Sequence, residues 1–383
     1  MADLQVLMVG GKRCGKSSIL ASSIQFLNDN EILNDSLKIR STGTVVEGGV
    51  PLNRKYGELV AFVYGKNSNK RYLVDFNADN KFSKYPFKIG VRKTLGNFTV
   101  KFIDAPGESY EPSEPEYIEM REYAKSSDVF VIAIDTPYLM EGNPGFALIV
   151  NCIPNLISLF KGDSKDDSTP VLKESGETIN KKELKLFMFV PVKCEAYKDR
   201  MDEVVDKVKS VYSGLIKELL RHKECCISIL PVFTAGGIEF AEFSDPNLLI
   251  NKEDKNVDLY KKYGKELSEF RCNKLTKTTV RMSNGDIEDV EDNQQVIVDD
   301  EFKLRVPQYS WYKSTGDYSP KNCEQILLHT LRFVVSKKKI NNETSFFGMK
   351  LSTMESALET ISILIKDEGD GISHVRSLKS LEL

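Results

Sequence analysis

The stretch Val6-Leu7-Met8-Val9-Gly10-Gly11-Lys12-Arg13-Cys14-Gly15-Lys16-Ser17-Ser18-Ile19-Leu20 constrains this chain more than any other. Leu4, Val6, Leu7, Met8 and Val9 form an apolar run that reads as a buried strand. Gly10-x-x-x-x-Gly15-Lys16-Ser17 follows, and then Ile19, Leu20, Ile24 and Leu27 recur at helical spacing. Strand, glycine loop and helix in that order are the context of a phosphate loop. The glycines let successive amides turn inward as a nest for phosphate. The helix beginning at about Lys16 directs its positive dipole end at the same point. In such a loop Gly10, Gly11, Lys12, Arg13, Cys14, Gly15 and Ser18 wrap the phosphates. Lys16 reaches the β- and γ-phosphates, and the Ser17 hydroxyl ligates Mg²⁺.

From Asn28 to about Tyr85 the chain is polar, with islands of strand character. Tyr56–Val63 and Arg71–Phe76 read as a hairpin around Gly65-Lys66-Asn67-Ser68-Asn69, and no helical crossover is expected there. Phe87–Val91 and Phe98–Ile103 read as a second hairpin, which ends in Asp104-Ala105-Pro106-Gly107-Glu108. An Asp at the carboxyl end of a buried strand sits where open α/β sheets place their ligands. There Asp104 can hold Mg²⁺ opposite Ser17. Gly107 offers an amide close to a γ-phosphate with no Cβ in the way, and Glu108 can orient an attacking water.

A helix over about Glu114–Lys125, a buried strand over Val129–Ile134 and an apolar helix from Pro144-Gly145 to about Phe160 come next, with Pro154 inside the last. Residues 162–182 read as a flexible polar loop. The strand Leu186–Val192 ends at Lys193-Cys194-Glu195, and one long amphipathic helix follows from Met201 to Leu219. Cys226–Val232 is the last apolar strand and ends at Phe233-Thr234-Ala235-Gly236-Gly237. The alternation predicts an α/β fold, a doubly wound, mostly parallel six-stranded sheet with helices on both faces. Residues 245–312 form an acidic, polar insertion with a small hairpin turning at Asn284-Gly285. Ser319-Pro320 reads as the start of a helix that closes at Lys337-Lys338-Lys339. A capping box, Ser352 to Glu355, opens a final helix carrying Met354, Leu358, Ile361 and Ile365, and a polar tail ends the chain.

Composition excludes several classes. The net charge of −3 over 383 residues gives no basic field for nucleic acid. Seven scattered cysteines and three histidines provide neither a zinc framework nor a disulfide scaffold, which fits a reducing compartment. Met1-Ala2-Asp3-Leu4 carries no basic leader and no Gly for myristoylation, and no apolar run is long enough to span a bilayer. A soluble, cytoplasmic chain with no membrane or nucleic-acid partner is expected.

Four motifs now stand in fixed order, each at the carboxyl end of an expected strand: Gly10…Lys16-Ser17, Asp104-Ala105-Pro106-Gly107-Glu108, Val192-Lys193-Cys194-Glu195 and Thr234-Ala235-Gly236. Together they resemble a P-loop GTPase of the TRAFAC, Ras-like class. The Gly-Gly after the last strand and Asn322-Cys323-Glu324-Gln325 are similar to a bacterial group labelled double-GTPase or TRAFAC-clade GTPase-like. The resemblance implies a G domain over about 1–340, with insertions at 36–84 and 245–312, and a helical extension over 341–383. It implies GTP and GDP as ligands, Mg²⁺ as cofactor, and a protein effector or activator as partner. It further implies that Lys193 stacks on guanine and Glu195 reads the base, while Thr234, Ala235 and Gly236 offer backbone N–H to the guanine carbonyl.

The chain departs from the family pattern at Val192, where Asn is usual, and at Glu195, where Asp is usual. The segment Asp79-Asn80-Lys81-Phe82-Ser83 holds no switch threonine, and Thr42 and Thr44 remain open as candidates. Glu108 stands where the catalytic glutamine is found, and a carboxylate there is repelled by phosphate. The resemblance therefore implies slow hydrolysis by Lys16, Gly107 and Glu108, raised by a partner. A nucleotide-binding interaction module with negligible turnover, or an ATPase, are the alternatives.

Overall fold

The computed structural model describes residues 4–11, 14–29, 37–41, 50–64, 72–73, 81–91, 97–107, 109, 115–142, 151–161, 171–172, 179–243, 278–281, 287–290, 310–340, 345–346, 349–350, 359, 361–369 and 371–377. The chain divides into two compact units, one of residues 1–61, 77–236 and 319–383, the other of residues 62–76 and 237–318.

The first unit is built on an eight-stranded sheet. Its strands are β1 (Leu4–Val9), β2 (Leu37–Ser41), β4 (Ser83–Val91), β5 (Asn97–Asp104), β6 (Val129–Asp135), β7 (Lys185–Val192), β8 (Cys225–Ile229) and β15 (Ser373–Arg376), in the spatial order β15-β8-β7-β6-β1-β5-β4-β2. The second unit holds β3 (Tyr72–Leu73), β9 (Ile238–Phe243), β10 (Thr278–Arg281), β11 (Ile287–Val290) and β12 (Ser310–Ser314), and β13 (Ser345–Phe346) and β14 (Met349–Lys350) form a short pair. β5, β1, β6, β7 and β8 run parallel, whereas β4, β2 and β15 pair antiparallel with their neighbours. The expected mostly parallel α/β sheet is present, with β2 and β15 added at its edges.

Helices α1 (Lys16–Asp29), α2 (Leu52–Tyr64), α3 (Tyr117–Ser126), α4 (Thr136–Glu141), α5 (Ile153–Lys161), α6 (Met201–Val211), α7 (Ser213–Arg221) and α8 (Cys323–Ile340) connect these strands. Inner strands such as β6 and β7 are buried along their whole length, as strands covered on both faces must be. On one face Phe130 stacks on Phe187 at 4.6 Å, and Phe160 of α5 meets both edge-on at 5.1 and 5.2 Å. Val208 of α6 and Leu215 and Leu219 of α7 fill the same core. α1 packs against α8, which also touches β7.

Several expectations change. Residues 52–64 are helical, not a strand of a hairpin, because Leu52, Lys55, Leu59 and Val63 recur at helical spacing and are the buried positions. The long helix after β7 breaks at Tyr212 into α6 and α7, just before Gly214. α8 starts at Cys323 rather than at Ser319, with Asn322 in the left-handed region at φ 63°. Lys337, near the end of α8, donates to the Leu184 carbonyl at 2.8 Å and pairs with Asp128 at 3.0 Å. The expected turn at Asn284-Gly285 and the capping box from Ser352 to Glu355 lie outside the described residues.

The polar tail is stitched to the sheet as the edge strand β15. Gln325 of α8 exchanges hydrogen bonds with the Leu364 carbonyl and the Lys366 amide, at 3.2 and 2.8 Å. The Arg376 guanidinium donates to the carbonyls of His222 and Leu220, both at 2.7 Å, a cation at the negative end of α7. In the second unit β3, β12 and β9 form an antiparallel sheet, and β10 pairs with β11. Among the described residues no helix is long and apolar enough to cross a membrane, and the six described cysteines are buried free thiols.

His329 of α8 faces the tail, with Nε2 3.1 Å from the Lys366 carbonyl. Burial, together with Arg332 and His374, pushes its pKa down from 6.5 to about 3. His374 is shifted the same way by burial. Below about pH 6.5 the unfolded chain binds protons that the folded chain refuses, so stability falls with pH by about 1.4 kcal/mol per unit for His329. Urea midpoints measured from about pH 7 down to about pH 5 should show this fall, and His329→Gln should flatten it. Equal slopes in the two proteins count against the assignment.

Candidate functional site

β5, β1, β6 and β7 lie side by side, and their carboxyl ends bring Asp104, Gly10, Asp135 and Lys193 to one rim of the sheet. That rim is where a parallel sheet offers backbone donors and helix N-termini to a ligand. The loop after β1 leaves the sheet through Gly10 at φ 144° and enters α1 through Gly15 at φ 101°. A Cβ on Gly10 would lie 2.5 Å from the Ala133 carbonyl oxygen of β6, so only glycine fits that approach. At Gly15 there is space, with Val192 Cγ2 3.9 Å away, and the backbone angle alone selects glycine.

Lys16 is 8% exposed, and its ammonium donates to the carbonyls of Gly10 and Gly11 at 3.0 and 3.2 Å. Asp104 Oδ1 lies 3.8 Å away. Burial alone would depress this ammonium, but nearby negative charge, Asp104 above all, offsets it, and the pKa is raised above the ordinary lysine value. Burial pushes the Cys14 thiol up, which keeps it protonated. Ser17 and Ser18 are buried at the start of α1.

Sequence reasoning missed Lys55 altogether. It sits in the first turns of α2, is 7% exposed, and its ammonium donates to the Ser17 hydroxyl. A signal was present: Lys55 is a charge on the apolar stripe of Leu52, Leu59 and Val63. Reading that segment as a strand concealed it. Asp135 was missed as well, although it ends an apolar strand just as Asp104 does. It is buried and accepts from Lys193 Nζ at 2.5 Å, and its amide donates to Asn151 at 2.8 Å.

The base-reading segment is organised differently from expectation. Lys193 adopts φ 60°, held by its amide on Thr234 Oγ1 at 3.3 Å, and its ammonium is committed to Asp135. Glu195 is buried, and its Oε1 accepts from the Ala235 and Gly236 amides at 2.8 and 3.1 Å. Those are the amides expected to face a guanine carbonyl. Burial raises the Glu195 pKa, against the pull of the two amides. The Ser22 hydroxyl of α1 donates to the Thr234 carbonyl at 2.6 Å and ties this segment to the phosphate loop.

The two expected Mg²⁺ ligands, Ser17 and Asp104, each face a lysine ammonium. Among the described residues no three His, Cys, Asp or Glu side chains gather to hold a metal ion. With the Lys55 ammonium on its oxygen, the Ser17 hydroxyl as it stands does not fit Mg²⁺. The Gly107 carbonyl lies 3.7 Å from the Cys152 thiol. Lys12, Arg13, Glu108, Thr42 and Thr44 lie outside the described residues.

No family model matches this sequence, and no curated protein matches it. Among solved structures the chain is similar to the GTPase-like domain of Ski7 from S. cerevisiae. The structure bound to GTP overlaps with a TM-score of 0.34 at 13% identity, covering 61% of this chain and 43% of that one. The structure bound to GDP and inorganic phosphate overlaps with a TM-score of 0.31 at the same identity and coverage. The overlap thus spans less than half of the yeast chain, and at this level it carries no functional inference.

The two loop glycines should respond unequally to alanine. Gly10→Ala brings a Cβ against the β6 backbone and should cost about 3 kcal/mol or more. Gly15→Ala meets open space and should cost only the backbone strain, about 1 kcal/mol. Urea unfolding of both variants measures the difference, and a Gly10→Ala cost no larger than that of Gly15→Ala contradicts the steric account.

Proposed function

We propose that this chain is a P-loop GTP-binding protein that holds the nucleotide triphosphate in the loop of residues 10–18 and hydrolyses it slowly. One observation carries the reading. A glycine-hinged loop and a buried Lys16 lie at the carboxyl ends of adjacent parallel strands, beside the start of α1. Amides, ammonium and helix dipole converge there, and together they favour a polyanion.

The exchange at Glu195 supports guanine. A base entering that segment must replace both partners of the bond from the Ala235 amide to the Glu195 carboxylate. Guanine offers N1–H and an exocyclic amine to the carboxylate and a carbonyl to the amide, whereas adenine offers the carboxylate one amine. Buried polar groups left unpaired are what make a base choice steep. Turnover is slow in this reading because Glu108, a carboxylate, stands in the water-orienting position and repels phosphate. Ordering of loops by the γ-phosphate would then couple the bound nucleotide to a protein partner. A second reading, a binding module with negligible turnover, is favoured by the Lys55 ammonium on Ser17.

Calorimetric titration should show GTP and GDP binding, ATP weaker by about tenfold or more, and loss of GTP binding in Lys16→Ala. Glu195→Ala should narrow the gap between GTP and ATP. A folded protein that takes up neither nucleotide defeats the proposal. Phosphate release above the Lys16→Ala background separates slow hydrolysis from binding alone.

A further inference from the structure

We infer that Lys55 is a built-in cation of the triphosphate site, and that it makes nucleotide binding independent of a divalent metal. The inference rests on the nucleotide reading above and deepens it. Lys55 lies in the first turns of α2, where its amide donates to the Pro51 carbonyl at 3.0 Å. Its neighbours on the buried stripe, Leu52, Leu59 and Val63, are apolar. Its side chain leaves that stripe and ends on the Ser17 hydroxyl, the atom the loop motif reserves for magnesium.

The charges at the rim are unequal. Lys16 has Asp104 at 3.8 Å, and Lys193 has Asp135 at 2.5 Å. Lys55 is 7% exposed, and among the described residues no carboxylate lies within 4.0 Å of its ammonium. A buried ammonium whose partner is a neutral hydroxyl is an incomplete arrangement. What completes it is an anion delivered at Ser17, and the loop around Lys16 is shaped for phosphate.

The same contact disfavours a metal. Magnesium binds oxygen at about 2.0–2.1 Å and keeps a strict octahedral shell. On Ser17 Oγ it would face the Lys55 ammonium across a shared oxygen, like charge against like charge. The ammonium itself can serve instead. It has three N–H donors, of which one goes to Ser17, and two remain for β- and γ-phosphate oxygens. A lysine brings one positive charge rather than two, but it is covalently attached and needs no supply from solution.

The test uses the full chain stripped of nucleotide, titrated with GTP and with GDP, in EDTA and in magnesium. The dissociation constants of the wild-type protein should agree between the two buffers within about threefold. Lys55→Gln and Lys55→Ala should weaken GTP binding in EDTA by at least about tenfold, and magnesium should restore part of the loss. Circular dichroism establishes that each variant is folded, and the wild-type comparison stands without them. Wild-type binding that collapses in EDTA, or a Lys55→Gln protein that binds like wild type there, overturns the inference while leaving the nucleotide reading intact. Failure of the wild type to bind either nucleotide in both buffers overturns the nucleotide reading, and this inference with it.

Discussion

Gly10 comes so near the backbone of β6 that any side chain there would strike the Ala133 carbonyl. This close approach lets the chain turn out of β1 and return into α1 without leaving the sheet edge. Lys16 can then fold back onto the carbonyls of Gly10 and Gly11. With the loop pinned against β6, Asp104 on one neighbouring strand and Asp135 on the other flank it at fixed distance, because parallel register ties all three strand ends together.

Around this hinge the polar groups are distributed unevenly, and the unevenness is informative. Asp135 engages Lys193, Asp104 stands near Lys16, and Glu195 caps two amides of the following loop. Each of these contacts is one that a nucleotide could replace with a contact of its own. Lys55 differs, since its ammonium rests on a hydroxyl. That contact places a buried ammonium at the hydroxyl where a metal is ordinarily expected in such a loop.

The tail shows a comparable economy at the opposite edge. Arg376 meets the carbonyl end of α7, and β15 covers the outer side of β8, which would otherwise present open backbone groups. The buried His329 and His374, 5.6 Å apart, belong to this seam. Its cohesion therefore depends on imidazoles that stay neutral.

Much of this was legible in the residues alone. The apolar runs of β1, β6 and β7 and the glycine spacing after β1 point to a parallel sheet with a phosphate loop, because strand burial and tight turns are local properties of sequence. The helix over residues 52–64 was not legible in the same way, since its buried stripe includes a lysine, and a charge obscures an apolar period. Nor could local pattern reveal that Lys55 meets Ser17, that Glu195 occupies the amides of Ala235 and Gly236, or that the polar tail becomes an edge strand. Those contacts join residues far apart in the chain. Which partner each group meets depends on how the strands are ordered, and only the folded sheet decides that order.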